Sequence, residues 1–183
     1  MKTLRSIVRK LACVLILVIL ALTGYNIALK SMYPIKYTDY IKAYGTEYGV
    51  SPTLILAVIK SESDFDKDAC SSADARGLMQ LTEETFYDVR KMLGDNEEYT
   101  FSDCWDNPET NIKYGTRYLS YLLELYDGDK TAAVAAYNAG LGNVNRWMGS
   151  DGKLQTDEIG FPETSRYVEK VQTAEKYYKK LYP

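Results

Sequence analysis

The sequence predicts an all-α fold: one compact domain of about six or seven helices, preceded by an N-terminal transmembrane helix. Three observations predict it. Residues 11–29 form a run of nineteen residues without a charge, which is long enough to span a bilayer. Beyond this run, apolar and aromatic residues recur at spacings of three and four, and no stretch has a convincing strand alternation. Helix-capping residues, prolines and glycines mark where the helical segments begin and end.

The N-terminal segment is predicted to be a retained membrane anchor rather than a cleaved signal peptide, because the apolar run continues into residues 30–37 without a clear cleavage site. Four basic residues precede it, namely Lys2, Arg5, Arg9 and Lys10. By the positive-inside rule, they place the amino terminus in the cytoplasm and the following domain outside. The predicted organisation is a cytoplasmic tip and anchor over 1–30, a short linker over 31–37 and a domain over 38–183.

The helices of the domain follow in order along the chain. An aromatic face recurs over 37–48 until Gly49, and Ser51 is predicted to cap a helix that starts at Pro52. The remaining predicted helices cover 83–93, 108–127, 131–139, one or two turns within 142–148, and 162–182. Thr82 and Asn107 are their expected caps, and 95–106 and 149–160 are expected to be loops.

Composition excludes several classes of site and partner. The chain has no histidine, which removes Ser-His and Cys-His nucleophilic sites and histidine-based zinc sites. From Ser31 onward, 17 basic residues face 25 acidic ones, and the net charge of −8 argues against nucleic acid as a partner. No metal or cofactor is predicted.

Cys70 and Cys104 are the two cysteines outside the anchor. In an oxidising compartment outside the membrane, they are predicted to pair as a disulfide; the alternative is two unrelated buried thiols.

Glu62 is the candidate catalytic residue. On a helix it shares a face with Ile55, Val58 and Ile59, which belong to the predicted core. A carboxyl at the edge of an apolar surface is poorly solvated as an anion, so its pKa rises and it becomes able to act as a general acid. The alternative is that Glu62 begins the solvated end of the helix.

A second catalytic carboxylate is not evident nearby. Glycosidases normally use two, about 5–9.5 Å apart. The acids that follow Glu62 in sequence lie in a polar loop and are predicted to be solvated, namely Asp64, Asp66, Asp68 and Asp74. If one acid works alone, it must first give a proton to the leaving oxygen and then take one from a nucleophile within the substrate.

Four stretches along the chain form an ordered set, namely "SES" at 61–63, "SSADARGLMQL" at 71–81, "AYNAG" at 136–140 and "PETSRYV" at 162–168. In this order and at these spacings, they resemble the catalytic domain of the soluble lytic transglycosylase family, which has a goose-type lysozyme fold. The resemblance covers about residues 38–180.

The resemblance implies roles for further residues. Glu62 matches the single catalytic glutamate of the family, and Tyr137 matches a tyrosine that reaches the acid or an N-acetyl group. Tyr167 would lie at the groove floor, and Glu163 would join helices. The other residues implied to bind substrate are Ser71, Met79, Gln80 and Asn138. The alternatives are that Ser71 forms a turn, that Met79 packs in the core, that Gln80 makes a structural hydrogen bond and that Asn138 caps a helix.

The activity that the resemblance implies is cleavage of the β-1,4 bond between N-acetylmuramic acid and N-acetylglucosamine in peptidoglycan, with a 1,6-anhydromuramoyl end as product. Two alternatives stand beside it: a lysozyme-type muramidase that uses water, and an inactive wall-binding scaffold module. The implied partners are peptidoglycan strands, the cytoplasmic membrane through the N-terminal helix, and a secretion or conjugation machine as a further hypothesis.

Overall fold

The computed structural model describes residues 2–94, 100–149 and 152–183. The chain divides into two compact units, Met1–Pro34 and Ile35–Pro183, each described by itself.

The first unit consists of one long helix, α1 (Lys2–Met32). Its stretch Arg5–Met32 is long and apolar enough to cross a membrane. At 1.5 Å per residue these 28 residues extend about 42 Å, which exceeds the hydrocarbon thickness of about 30 Å. The helix includes Ser31 and Met32, which the sequence assigns to the linker.

The second unit is all-α in its described residues, which confirms the predicted class. Its helices are α2 (Thr38–Glu47), α3 (Pro52–Glu62), α4 (Glu83–Leu93), α5 (Phe101–Asp106), α6 (Pro108–Leu125), α7 (Lys130–Ala139), α8 (Leu141–Trp147) and α9 (Pro162–Leu181), with a 3₁₀ turn at Thr156–Glu158.

Most of the predicted helix ends follow from capping. The Thr82 hydroxyl accepts a hydrogen bond from the Thr85 N–H at the start of α4, and Gly94 ends that helix in the left-handed conformation, with φ 60°. Asn107 caps α6 through the N–H of Glu109. Ser51 precedes Pro52 as predicted, but its hydroxyl lies against the hydroxyl of Thr53 instead of capping a backbone N–H.

Helix α5 lies within a segment that the sequence assigns to a loop, and that prediction is wrong for residues 101–106. Thr100 and Asp103 form a capping box, in which each side chain accepts a hydrogen bond from the other residue's backbone N–H. Six residues are too few for helical periodicity to stand out in the sequence. The rest of the predicted loop, 95–99, lies outside the described residues.

Helix α3 carries much of the core. It buries Leu54, Ile55, Val58 and Ile59 almost completely, and each such side chain stabilises the fold by about 1.5–3 kcal/mol. Its most extensive packing is against α9. Helix α7 buries four alanines and packs against both α6 and α9. The helix that ends at Glu62 is therefore packed firmly against α9.

The predicted disulfide between Cys70 and Cys104 is wrong, because both thiols are free. Cys104 faces inward on α5, in a cluster with Phe86 and Tyr114, and burial raises the pKa of its thiol to about 12. Cys70 is exposed on the loop between α3 and α4, where its sulfur contacts the Ser71 carbonyl oxygen at 3.4 Å. One thiol points into the core and the other into solvent, so they do not meet.

Candidate active site

Glu62 is the last residue of α3, where the buried apolar face of the helix meets the loop that follows. Ile55, Val58 and Ile59 on that face have no solvent exposure, whereas Glu62 keeps part of its surface exposed. Burial raises the pKa of its carboxyl to about 7, although a hydrogen bond from Tyr167 and the charge of Lys170 both act to lower it. Near neutral pH this carboxyl is therefore able both to give and to accept a proton.

Tyr167 holds the Glu62 carboxyl in place. Its hydroxyl donates a hydrogen bond to Oε1 of Glu62 at 2.5 Å. Burial and the neighbouring carboxyl raise the pKa of Tyr167 well above its usual range, so the phenol stays protonated and remains a donor. The sequence places Tyr167 at the groove floor; in the structure it is the tyrosine that reaches the acid.

The Tyr137 hydroxyl makes a hydrogen bond that the sequence does not predict. Its hydroxyl donates to the carbonyl oxygen of Met79 at 2.8 Å instead of to Glu62, and its ring packs against Tyr118 with the ring centroids 5.3 Å apart. Burial raises the pKa of Tyr137 well above its usual range, and the charge of Glu62 adds to this shift, as expected for two groups in the same site. Tyr137 therefore ties α7 to the loop beside the acid.

The loop between α3 and α4 is built from tight backbone pairs. Arg76 and Leu81 exchange two N–H to carbonyl bonds, at 2.8 and 3.0 Å, and the Ser71 N–H donates to the Ala75 carbonyl. The Ser71 hydroxyl accepts from the N–H groups of Ala73 and Ala75, so it stabilises this turn while remaining partly exposed. Its position is compatible with either the substrate role or the turn role.

Gln80 and Met79 support the loop from within. Both hydrogen bonds from the Gln80 side-chain nitrogen go to backbone carbonyls, of Ala69 and Gly77, each at 3.0 Å. The Met79 side chain is fully buried, in contact with Gly115 of α6, where a Cβ would lie 2.5 Å from its sulfur. The expectation that the Met79 side chain lines a surface groove is therefore not met, because this side chain is buried in the core, while its backbone carbonyl accepts the hydrogen bond from Tyr137.

Asn111 supports the loop beside Glu62 and is a residue that the sequence motifs do not single out. It is 1% exposed, and its Oδ1 accepts from the Met79 N–H at 2.8 Å while its Nδ2 donates to the Arg76 carbonyl at 3.1 Å. Gly77 lies so close that a Cβ there would be 2.5 Å from Nδ2 of Asn111. The available signal was a polar residue one turn before Gly115 on the inward face of α6.

Asn138 lies at the junction of α7 and α9. Its side-chain oxygen accepts a hydrogen bond from the Thr164 hydroxyl at 2.8 Å, and the residue is exposed. Glu163, predicted to join helices, is exposed, and the bond between the two helices comes from Thr164 beside it. Asn138 is therefore placed near the site but is already engaged in packing α7 on α9.

The other acids near Glu62 in sequence are exposed on the loop. Three of them form ion pairs, Asp64 with Lys60, Asp68 with Lys67 and Asp74 with Arg76. Within the described residues, Glu62 is thus the acid of this segment that combines burial, a raised pKa and a tyrosine donor.

The all-α domain holds Glu62, whose carboxyl has a raised pKa, at the edge of its core, which is the organisation expected of a lysozyme-like protein. The chain belongs to the Transglycosylase SLT domain family, whose model matches residues 39–159. The family that the sequence motifs resemble is thereby confirmed.

Similar proteins agree in sequence and in fold. The Membrane-bound lytic murein transglycosylase C of Photorhabdus laumondii is 37% identical over 78% of this chain and 46% of its own length. The Soluble lytic murein transglycosylase of Escherichia coli K12 is 32% identical over 82% of this chain and 24% of its own. The chain thus spans about half the length of the former and a quarter of the latter.

Two solved structures have the same fold. The crystal structure of the 70 kDa soluble lytic transglycosylase of Escherichia coli superimposes with a TM-score of 0.78 at 31% identity, covering 83% of this chain and 25% of that one. An inactive glutamate-to-glutamine mutant of the Lytic Transglycosylase Slt from Pseudomonas aeruginosa gives a TM-score of 0.75 at 30% identity, over 84% and 25%.

Replacing Tyr167 by phenylalanine is expected to raise the pKa of Glu62, because the hydroxyl hydrogen bond favours the carboxylate. The titration midpoint of the Glu62 carboxyl should then move to higher pH. Tyr137→Phe is the matched control, since it removes a hydroxyl that bonds to the Met79 carbonyl and not to Glu62. An equal shift in both variants would contradict the assignment of Tyr167 as the tuning donor.

Proposed function

We propose that this chain is a membrane-anchored lytic transglycosylase. Its reaction would be cleavage of the β-1,4 bond between N-acetylmuramic acid and N-acetylglucosamine in peptidoglycan, with formation of a 1,6-anhydromuramoyl end. The observation that carries the proposal is the Glu62 carboxyl, whose pKa burial raises to about 7 and which accepts a hydrogen bond from Tyr167.

The first step is proton donation. Glu62, protonated near neutral pH, gives its proton to the glycosidic oxygen, and the bond from that oxygen to the muramoyl anomeric carbon breaks. The N-acetyl group of the same sugar stabilises the positive charge that develops at the anomeric carbon. Glu62 is left as a carboxylate, which the Tyr167 hydroxyl stabilises.

The second step restores the acid. The Glu62 carboxylate takes the proton of the muramoyl 6-hydroxyl, whose oxygen bonds to the anomeric carbon and closes the anhydro ring. No water is consumed, and Glu62 is protonated again for the next turnover. A single group serves both steps, which fits the exposed, ion-paired positions of Asp64, Asp68 and Asp74.

Membrane attachment is proposed on the basis of α1. Its span Arg5–Met32 meets the length and composition needed to cross a bilayer, and Arg5, Arg9 and Lys10 lie at its N-terminal end. By the positive-inside rule, this orientation puts residues 35–183 on the wall side of the cytoplasmic membrane. The name of the Photorhabdus laumondii relative, which calls that protein membrane-bound, supports the same arrangement.

The test is mass analysis of the products released from purified peptidoglycan. Wild-type chain is expected to release muropeptides with anhydro ends, each lighter by one water than the reducing ends that hydrolysis gives. Glu62→Gln should release none, while Glu169→Gln, an exposed acid on α9, should behave as wild type. Reducing ends would establish a lysozyme-type hydrolase instead, and wall binding without any release by wild type would establish an inactive module.

A further inference from the structure

Lys170 contacts the end of α3 beside the candidate acid. It lies three residues after Tyr167 on α9, so the two side chains point to the same side of that helix. Tyr167 reaches Glu62, and the Lys170 ammonium donates a hydrogen bond to the carbonyl oxygen of Ser61 at 2.7 Å. Two successive residues at the end of α3 are therefore each held by one residue of α9.

The backbone at the end of α3 explains why this ammonium is held there. A helix leaves its last carbonyls without an N–H partner from its own next turn. The Ile59 carbonyl accepts from the N–H and the hydroxyl of Ser63, at 3.0 and 3.2 Å. The Ser61 carbonyl accepts from Lys170, a partner that lysine commonly provides at helix ends. The backbone thus fixes a flexible side chain next to Glu62.

The position of Lys170 matters because of its charge. The ionisable groups that act on Glu62 from the neighbouring helix α9 are Tyr167 and Lys170, and Glu62 in turn acts on Tyr137 of α7. Burial raises the pKa of both tyrosines well above their usual range, so they stay neutral, whereas the charge of Lys170 acts to lower the pKa of Glu62. Lys60, earlier on α3, is paired with Asp64. Of Tyr137, Tyr167 and Lys170, it is therefore Lys170 that supplies a positive charge beside Glu62.

We propose that Lys170 is a positioning residue for Glu62, which fixes the last turn of α3 and supplies the positive charge that keeps the glutamate able to ionise. The role rests on the proposed function, in which Glu62 must give its proton away and then persist as a carboxylate until the 6-hydroxyl is deprotonated. Burial alone would hold the proton too firmly for the first step and destabilise the base needed in the second.

The experiment is a titration of Glu62 that does not depend on activity. The full chain, labelled with carbon-13 at the glutamate side-chain carboxyl and held in detergent micelles, is titrated by NMR, and Glu62→Gln identifies the Glu62 signal. Lys170→Met should raise the titration midpoint of Glu62 by about half a pH unit, because Lys170 is an exposed residue and a positive charge several ångströms away that acts largely through water lowers a carboxyl pKa by about that much. Lys170→Arg should titrate as wild type, because it keeps the charge.

Lys176→Met is the matched control, because Lys176 is an exposed lysine on the same helix, six residues further on. Its midpoint should equal that of wild type. The inference is overturned if Lys170→Met titrates as wild type, or if Lys176→Met shifts the midpoint equally. Circular dichroism of each variant confirms that the fold is retained. If wild type releases no glycan, the proposed function fails, while the titration still decides the role of Lys170.

The pH dependence of the cleavage rate distinguishes a positioning role of Lys170 from a purely structural one. With Lys170→Met, the alkaline limb of the pH–rate profile should follow the NMR midpoint upward, and Lys170→Arg should restore the wild-type limb. A uniform loss of rate at every pH, with an unmoved limb, would show that Lys170 only stabilises the fold and would contradict the proposal.

Discussion

Glu62→Gln is expected to lower the rate of glycan cleavage by at least about a thousandfold while making the folded chain more stable above neutral pH. The loss of rate follows because an amide cannot give its proton to the leaving oxygen. The amide keeps the shape of the side chain, and its oxygen is still able to accept the hydrogen bond from Tyr167. The site should therefore stay assembled without its chemistry.

The gain in stability has a definite pH range. The pKa of Glu62 is about 7 in the folded chain, whereas the ordinary value for a glutamate is 4.5. Between pH 4.5 and about pH 7, the folded state therefore keeps a proton that the unfolded state releases. Stability therefore falls as pH rises through this range. Below about pH 4.5 the two chains should be equally stable, and above pH 7 the glutamine variant should be ahead by about 2–3 kcal/mol, allowing for the partial exposure of the carboxyl.

Thermal unfolding in detergent micelles, followed by circular dichroism at about pH 4 and pH 8, measures this difference. Glu169→Gln is again the control, because this exposed glutamate should give the same melting temperature as wild type at both values. A melting temperature for Glu62→Gln that does not exceed wild type at the higher pH would mean that the carboxyl is solvated in the folded chain. Retained cleavage activity would show that another group is the acid.

Asn111→Ala is expected to destabilise the domain by about 3 kcal/mol and to abolish most of the activity. The change leaves the Met79 N–H and the Arg76 carbonyl without their partner in a place that is almost fully buried. It also opens space against Gly77. The loop beside Glu62 would lose the contact that fixes it on α6, and Tyr137 would lose a fixed acceptor at Met79.

Asn145→Ala provides the comparison for this variant. Asn145 is exposed, and its side-chain oxygen accepts a hydrogen bond from the Tyr126 hydroxyl at 3.1 Å. Asn145→Ala should therefore change the free energy of unfolding by no more than about 0.5 kcal/mol. Chemical denaturation of the two variants beside wild type measures both values. If Asn111→Ala unfolds at the same denaturant concentration as Asn145→Ala, the loop does not depend on Asn111.

Much of the fold was predictable because it rests on local signals. Thr82 with Gly94, and Asn107 with Pro108, mark helix ends through backbone geometry that neighbouring residues determine. The direction of the pKa shift of Glu62 was also predictable from helical spacing, since Glu62 shares a helix face with Ile55, Val58 and Ile59, which are buried. Helix α5 escaped prediction because six residues carry little periodic pattern.

The arrangement around the acid was less predictable, because it depends on contacts between residues far apart in the sequence. Tyr167 and Glu62 are separated by 105 positions. The motifs assigned the contact with the acid or an N-acetyl group to Tyr137, whereas in the structure Tyr167 donates to the Glu62 carboxyl and Tyr137 donates to the Met79 carbonyl. The pairing of Cys70 with Cys104 failed for the same reason. A count of cysteines carries no information on which way each side chain points.

The end of α3 at Glu62 has a consequence beyond the side chains around it. The aligned peptide dipoles of a helix place about half a negative charge at its carboxyl end, so an ionised glutamate there meets repulsion from the backbone itself. This bias towards the neutral acid belongs to the main chain, and no substitution at Tyr167 or Lys170 removes it. Continuing the helix by one more turn would move the negative end away from Glu62 and make the carboxyl a stronger acid.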